Sequence, residues 1–433
     1  MCEIKLGCYI LRRWAEEHVL DWKLIRISNR HKLLLYTLAI PIAGFILLIS
    51  LRQLPSAIGR GDFRAYWSTS YLLFQGQNCA DDSLLLDIQN SKTGWPRDYP
   101  MRIWNPPWVT AWFLPLAFLN FQLATRIWLL INITLVLMCI FLSWRMFIDQ
   151  AKDKRRLWLL ALGAILFPST IVAIFMGQVN LLVLAGLVLF LWLTRNGHDI
   201  GAGVALSLTM VKPHLIYLAL PIILLAVLME RRWIIILGFG ASLFFSLAIV
   251  FFQRTSFIQE CLTITGSSNL SSWQTPTLTT FLQVSLGLWW MRIIGLFLMP
   301  IAVLLWLHFR DSLSFLIMLD LAIIVSVITS PFGWSYDFVV LLLPLMHLWS
   351  WLLTGKFNRL ETLLLVVVTV SMYLIYYYQR VQTPNEMYFF WLPMIIGGLY
   401  FWTLRRLKDR KLAGTVCIFE PLSQTKFMQL DSS

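Results

Sequence analysis

Long apolar runs separated by short polar segments dominate this sequence. A helix needs about 20 apolar residues to cross the roughly 30 Å hydrocarbon core of a bilayer. Only 13% of the 433 residues are charged and 58% are hydrophobic, so the bilayer must be the solvent for most of the chain. The sequence therefore predicts an all-α integral membrane protein, a single polytopic bundle of about twelve transmembrane helices. The predicted crossings are 32–51, 123–146, 157–176, 179–194, 201–212, 214–229, 233–252, 291–309, 313–330, 337–354, 360–378 and 389–404.

The net charge of +13 does not indicate a nucleic-acid partner. The basic residues lie mostly in short runs between apolar segments, for example Lys152–Arg156 and Arg405–Lys408. Cytoplasmic loops of membrane proteins carry such an excess of Lys and Arg. Both termini are therefore expected on the cytoplasmic side of the membrane. We expect that membrane to be a bacterial plasma membrane.

This orientation requires that 106–120 does not cross the membrane and that the break at Lys212 faces outside. It divides the chain into a cytoplasmic segment 1–31, a membrane domain 32–404 and a basic cytoplasmic tail 405–433. Residues 1–31 are too polar for a cleavable signal peptide, so the first crossing is expected to stay as an anchor.

Two long extracytoplasmic loops follow from this topology, about 52–122 and 253–290. Because prolines start a helix near residue 106, the first loop is expected to carry interfacial helices. One of the six cysteines lies in each loop, Cys79 and Cys261. Two interpretations remain open for this pair, separate thiols or one disulfide. The cysteine spacing predicts no metal site.

An acidic residue lies near the start of the first outer loop, at Asp62. It would suit a general base that takes a proton from a sugar or lipid hydroxyl. It would equally suit a cap for a helix that runs from Phe63 through Phe74 to a stop at Gly76.

Four further polar segments fall at predicted outer turns. Trp104–Trp108 is best interpreted as a turn where the chain enters the membrane. The amides of Gly177–Asn180 would bind a sugar or form hydrogen bonds between helices, and the sequence favours neither. Lys212-Pro213-His214 interrupts a long apolar run, which favours a functional lysine over one that snorkels to the interface. Ser330–Asp337 combines Trp, Tyr and Asp, as sugar pockets do, but would also serve as an aromatic anchor with a capping Asp.

The sequence lacks several motifs of soluble transferases. It has no Walker motif, no Gly-x-Gly-x-x-Gly and no Asp-x-Asp nucleotide-sugar motif in a soluble domain. An enzyme of this kind would receive its activated substrate from the membrane.

The ordered set of segments resembles the polyprenyl-phosphate-sugar-dependent glycosyltransferases of the GT-C class, in particular glycosyltransferase family 87. The similarity covers roughly residues 30–350. Two positions depart from the family pattern: Asn78-Cys79-Ala80 stands where the family often has Pro-Tyr, and Asn105 replaces a Tyr before two prolines. The segments that carry the resemblance are Asp62, Tyr66, Leu72–Gly76, Asn105-Pro106-Pro107, Pro115-Leu116, Trp128, Gly177–Asn180, Ala202-Gly203, Lys212-Pro213 and Ser330–Asp337.

The resemblance implies an inverting hexosyltransferase that moves a sugar, most often mannose, from a polyprenyl-phosphate donor to a lipid-linked or exported glycan. Asp62 would be the base, and Lys212, with His214 or Arg64, would bind the departing lipid phosphate. No metal or cofactor is implied. The residues expected around the sugar and acceptor are Tyr66, Asn105, Gln178, Asn180, Trp334, Tyr336 and Asp337.

Three other functions compete with this one. A flippase for lipid-linked glycans would show broken or acidic helices at the bilayer midplane in matched halves, whereas this chain has a long first outer loop. A ligase or polymerase of surface glycans would use a large late loop, for which 253–290 is the candidate. A membrane scaffold without activity would not need the outer polar residues.

Overall fold

The computed structural model describes residues 58–148, 154–266, 272–383 and 385–409, which belong to one compact unit. Within these ranges all regular secondary structure is helical. The predicted crossing 32–51 and the segment 1–31 lie outside the described residues.

From residue 58 onward, three short helices precede the first long helix of the described ranges: α1 (Phe63–Phe74), α2 (Asp82–Thr93) and α3 (Trp108–Ala117). Helix α3 has 10 residues, so at 1.5 Å per residue it is about half the thickness of the hydrocarbon core. It begins directly after Pro106 and Pro107, as the sequence predicted.

Each of the remaining predicted crossings coincides with a helix or with helices joined end to end. They are α4 (Phe121–Phe147), α5 (Lys154–Leu166), α6 (Pro168–Met176), α7 (Asn180–Arg195), α8 (Asp199–Ser207), α9 (Ala219–Met229), α10 (Trp233–Gln253), α13 (Leu298–Phe309), α14 (Phe315–Thr329), α15 (Leu342–Leu353), α16 (Arg359–Gln382) and α17 (Trp391–Asp409). Helices α11 (Phe257–Gly266) and α12 (Leu278–Leu286) occupy the second predicted outer loop.

Length and apolar character qualify 6 helices in the described residues as membrane spans, or 7 when α5 and α6 count as one bent span. Helices α7, α9 and α14 are apolar but shorter. The protein is therefore a multi-pass membrane protein. Its exposed surface agrees, because large side chains such as Phe244 (67% exposed) and Phe252 (84%) face outward from α10.

Two predicted boundaries differ from the structure. Residues 157–176 form two helices that meet at 59°, because Pro168 cannot continue the backbone hydrogen bonding of α5 and instead starts α6. The basic tail was predicted from residue 405, but α17 continues to Asp409.

The first outer segment is fixed to the α6–α7 turn by close backbone contact. The backbone nitrogens of Gly59 and Asp62 donate to the carbonyls of Phe175 and Met176 at 2.7 and 2.8 Å. Gly177, with φ of +67°, ends α6 in the left-handed conformation. Asp62 is thereby held beside Gln178.

Candidate active site

Six parts of the chain line one cavity of about 530 Å³. They are the start of α1, the segment 101–107 before α3, the turn between α6 and α7, the break between α8 and α9, the second predicted outer loop and the segment before α15. Five of them contain the polar segments that the sequence singled out, and the sixth is the second outer loop. The predicted site residues that line the cavity are Asp62, Tyr66, Asn105, Gln178, Lys212, His214, Trp334, Tyr336 and Asp337.

Asp62 does not cap α1 with its side chain, although the helix starts at Phe63 and ends at Phe74 as predicted. Its carboxylate instead accepts a hydrogen bond from Nε2 of Gln178. The side-chain oxygen Oε1 of Gln178 accepts from the hydroxyl of Tyr66 and from Nζ of Lys212, both at 3.2 Å. The side-chain amide of Gln178 thus connects the carboxylate of Asp62 to the ammonium of Lys212 and to the hydroxyl of Tyr66. The capping interpretation of the Asp62 side chain is therefore wrong, and its role as a base stays a prediction.

The environment of Asp62 raises the pKa of its carboxyl above the ordinary value. Burial is the main cause; the charge of Lys212 and a hydrogen bond from Tyr336 lower the pKa, and the charge of Asp337 raises it. A carboxylate with a raised pKa takes a proton more readily than one in water, which suits a general base.

Lys212 and Asp337 form a buried ion pair in the cavity wall. Nζ of Lys212 lies 2.6 Å from Oδ1 of Asp337 and 4.9 Å from the ring centroid of Tyr336. The other oxygen of Asp337 accepts from the backbone nitrogen of Trp334 at 2.9 Å, so Asp337 also caps its own helix. The capping role of Asp337, at the 3₁₀ turn Ser335–Leu341, is confirmed, and its role in a sugar pocket stays a prediction.

Asn180 and Arg64 do not line the cavity. Asn180 lies behind it, where Nδ2 donates to the carbonyl of Tyr336 at 2.6 Å and to Oδ1 of Asp337 at 3.3 Å. The guanidinium of Arg64 points to α2, donates to Oγ1 of Thr93 at 2.7 Å and stacks over Trp95. Asn180 therefore positions Asp337, and Arg64 joins α1 to α2.

His214 lies on the cavity wall in a short 3₁₀ turn with Pro213. Burial lowers the pKa of its imidazole to about 4; the charge of Asp337 opposes this and that of Lys212 adds to it. His214 is neutral near pH 7 and meets a phosphate as a hydrogen-bonding group, not as a cation.

Lining residues that were not among those predicted include Trp104, Trp273 and Arg102. The ring of Trp273 lies 5.0 Å from that of Trp104 and 6.0 Å from that of Trp334. Arg102 is paired with Asp82 of α2, its Nε at 2.8 Å from Oδ1. Trp104 flanks the Asn-Pro-Pro segment, and Trp273 is the one aromatic residue in the Ser- and Thr-rich stretch 258–280. Both positions carried a signal, but neither spacing distinguishes a sugar platform from a membrane anchor.

No cluster of three or more His, Cys, Asp or Glu side chains in the described ranges is placed to hold a metal ion. The cavity wall carries two carboxylates, one lysine, one arginine, a neutral imidazole and several phenol and indole rings. This set can take a proton, neutralise an anion and stack on a sugar ring.

A model of glycosyltransferase family 87 matches residues 104–331, more than half of the chain. The chain belongs to glycosyltransferase family 87. The match includes Asn105, Gln178, Lys212 and His214, whereas Asp62 and Asp337 lie outside its bounds and join the site through the fold. No curated protein and no solved structure matches the chain.

Proposed function

We propose that this family 87 member is an inverting transferase that takes a sugar, most often mannose, from a polyprenyl-phosphate donor. The acceptor is a lipid-linked or exported glycan on the extracytoplasmic side of the plasma membrane. The observation that carries this proposal is the link between Asp62 and Lys212 through Gln178 at one cavity. The proposed base, Asp62, and the proposed phosphate-binding cation, Lys212, are then separated only by the side-chain amide of Gln178.

The reaction follows from these positions. Asp62 takes the proton of the acceptor hydroxyl, whose oxygen forms a bond to the anomeric carbon of the donor sugar. The bond between that carbon and the phosphate oxygen breaks on the opposite face, which inverts the centre. Polyprenyl phosphate leaves with the bonding pair, and its charge is stabilised by Lys212. His214, neutral near pH 7, donates a hydrogen bond to the same phosphate.

The indole rings of Trp104, Trp273 and Trp334 are proposed to hold the acceptor glycan. Trp104 is 40% exposed, and the neighbouring ring centroids are separated by 5.0 and 6.0 Å, so the rings form one aromatic wall. Sugar faces stack on such rings. This wall favours a saccharide acceptor over a bare lipid alcohol.

Membership of a transferase family favours this function over the flippase and scaffold alternatives. A ligase would also act on lipid-linked sugars. The loop 253–290 does contribute Cys261, Leu262 and Trp273 to the cavity, but the candidate base comes from the first loop.

The test uses the protein in lipid nanodiscs with radiolabelled polyprenyl-phosphate mannose and a membrane lipid extract as acceptor. Glucose and arabinose donors run in parallel. We expect transfer by the native chain and a loss of about 10²- to 10⁴-fold for Asp62→Asn, the contribution typical of a general base. Asp87→Asn, the same change on the exposed face of α2, is the matched control and keeps full activity.

Two results would overturn parts of the proposal. If Asp62→Asn is folded and as active as Asp87→Asn, Asp62 is not the base. If none of the donors is consumed by the native protein, the polyprenyl-phosphate donor is wrong.

A further inference from the structure

The described residues include three cysteines, and two of them, Cys79 and Cys261, lie close together although they are far apart in sequence. Cys79 follows α1 and Cys261 lies in α11, and both belong to one small cluster of buried side chains. The thiol of Cys79 donates to Oε2 of Glu260, the residue before Cys261, at 3.6 Å and also interacts with the side chain of Cys261. The third, Cys139, is buried within α4. Two cysteines from separate loops rarely come into contact without a reason, because thiols contribute little to packing that Ala or Ser would not.

The surroundings hold the two sulfurs in place. Cys79 and Cys261 are 1% and 8% exposed and belong to a small apolar cluster separate from the main core. The other buried members of that cluster are Leu72, Leu73, Leu85, Ala111, Leu114, Val250, Phe257 and Ile264.

A polar network fixes the same junction. Glu260 accepts from the backbone nitrogen of Cys79 at 3.2 Å and from Nε of Arg254 at 2.5 Å. Arg254 in turn donates to the carbonyl of Gly76 at 2.7 Å. The backbone at Gly76 and Cys79 is thus tied to Arg254 and Glu260, the residues that precede Cys261, which limits how far the two sulfurs can separate.

The junction bears on the cavity. Cys261 and Leu262 line the cavity wall, while Cys79 lies just beyond the helix α1 that begins after Asp62. A covalent bond at this point would hold the α11 wall at a fixed distance from the end of α1, the helix that follows the candidate base.

We propose that Cys79 and Cys261 form a disulfide that joins the two outer loops. The oxidant is a disulfide of the dithiol oxidoreductase class. Each cysteine loses its S–H bond, one S–S bond forms, and the two electrons and two protons convert the oxidant's disulfide into two thiols.

The same environment indicates when the bond forms. The hydrogen bond with Cys261 and burial raise the pKa of the Cys79 thiol, so little thiolate exists once the cluster is packed. Exchange is therefore fastest before α11 docks, and a finished disulfide is shielded from reductants. This is the behaviour of a structural disulfide, not of a redox switch.

The test is peptide mapping of the full chain, purified from cells without reductant and trapped with N-ethylmaleimide in denaturant. We expect a cross-linked peptide pair containing Cys79 and Cys261 that disappears after reduction. If the isolated protein carries thiols, incubation with oxidised glutathione during refolding or membrane extraction supplies the oxidant. Both cysteines found alkylated after that treatment would overturn the proposal.

Thermal unfolding gives a second readout that does not depend on activity. Closing a loop of this length stabilises the folded state, so reduction under mild denaturation should lower the Tm of the native chain by several degrees. The Cys79→Ala/Cys261→Ala variant should already show the lower Tm and should not respond to reductant. Cys139→Ala is the matched control and should keep the cross-link. An equal response to reductant in the native chain and the double variant would count against the bond.

Discussion

The ammonium of Lys212 lies 2.6 Å from the carboxylate of Asp337, and both side chains are almost fully buried. Such a pair stabilises little by itself, because removing two charges from water costs about as much as their attraction returns. Its value lies in placing a charged lysine in an apolar wall. Asp337 balances the charge of the Lys212 ammonium within that wall.

The first prediction concerns the two halves of this pair. Lys212→Met leaves Asp337 as an unpaired buried carboxylate, so the variant should lose about 3–5 kcal/mol of folding free energy. The double variant Lys212→Met/Asp337→Leu removes both charges and should recover much of that loss in thermal unfolding. It should remain inactive, because the cation for the leaving phosphate is gone. A double variant as active as the native chain would refute the phosphate role of Lys212.

The second prediction concerns pH and His214, whose folded-state pKa is about 4. An unfolded histidine titrates near 6.5, so between about pH 6.5 and 4 the unfolded chain binds the additional proton. The neutral imidazole therefore makes its full contribution to the free energy of unfolding above about pH 6.5. That contribution, about 3 kcal/mol, is lost as the pH falls towards 4. Tm measured from pH 7.5 to 4.5 should fall more steeply for the native chain than for His214→Gln. Parallel curves would mean that His214 titrates normally.

Much of the membrane architecture could be predicted from the sequence, because apolar runs of spanning length have few other uses. The break at Lys212, the start of α3 after Pro107 and the bounds of α1 are confirmed. These features depend on local rules for proline, glycine and apolar length. The bend at Pro168 also follows a local rule for proline. It was missed because the apolar run 157–176 is long enough to be interpreted as one straight crossing.

Side-chain directions in the site could not be predicted in the same way. Arg64 is two residues from Asp62, yet it points to Thr93 because the helix turns it away from the cavity. Asn180 is two residues from Gln178 and likewise supports the site from behind. Trp273 reaches the cavity from a loop about 200 residues from Asp62 in sequence. Only tertiary contacts decide these positions.

The third prediction tests the close contact that places Gln178. A Cβ on Gly177 would lie 2.3 Å from the carbonyl oxygen of Gly59, and the backbone there has a φ of +67°. Gly177→Ala should therefore combine left-handed strain of about 1–2 kcal/mol with a clash that separates the loop of Asp62 from Gln178. Gly197→Ala is the control, since Gly197 has a φ of +76° but open space around it. Unfolding and transfer assays should show the strain in both variants and a loss of activity only in Gly177→Ala. Equal activity in the two variants would show that this contact does not position the site.

The fourth prediction concerns a buried polar group away from the cavity. Asp320 of α14 accepts from the hydroxyl of Tyr400 at 2.6 Å and lies 2.6 Å from Nδ1 of His347, so it joins α14, α15 and α17. None of the three residues lines the cavity.

Ionisable groups inside an apolar bundle are costly unless they are paired. Tyr400→Phe removes a hydrogen bond to a charged acceptor and should cost about 1.5–3 kcal/mol. Tyr373→Phe is the matched control, because its hydroxyl donates only to the backbone carbonyl of Gly163, at 3.0 Å, and should cost about 1 kcal/mol. Thermal unfolding should rank the two variants in that order while the folded fraction of each keeps native transfer activity. A loss of activity in folded Tyr400→Phe would instead tie the Asp320 group to the reaction. It would then have to act through α14, which leads from Asp320 to the Ser330–Asp337 wall of the cavity.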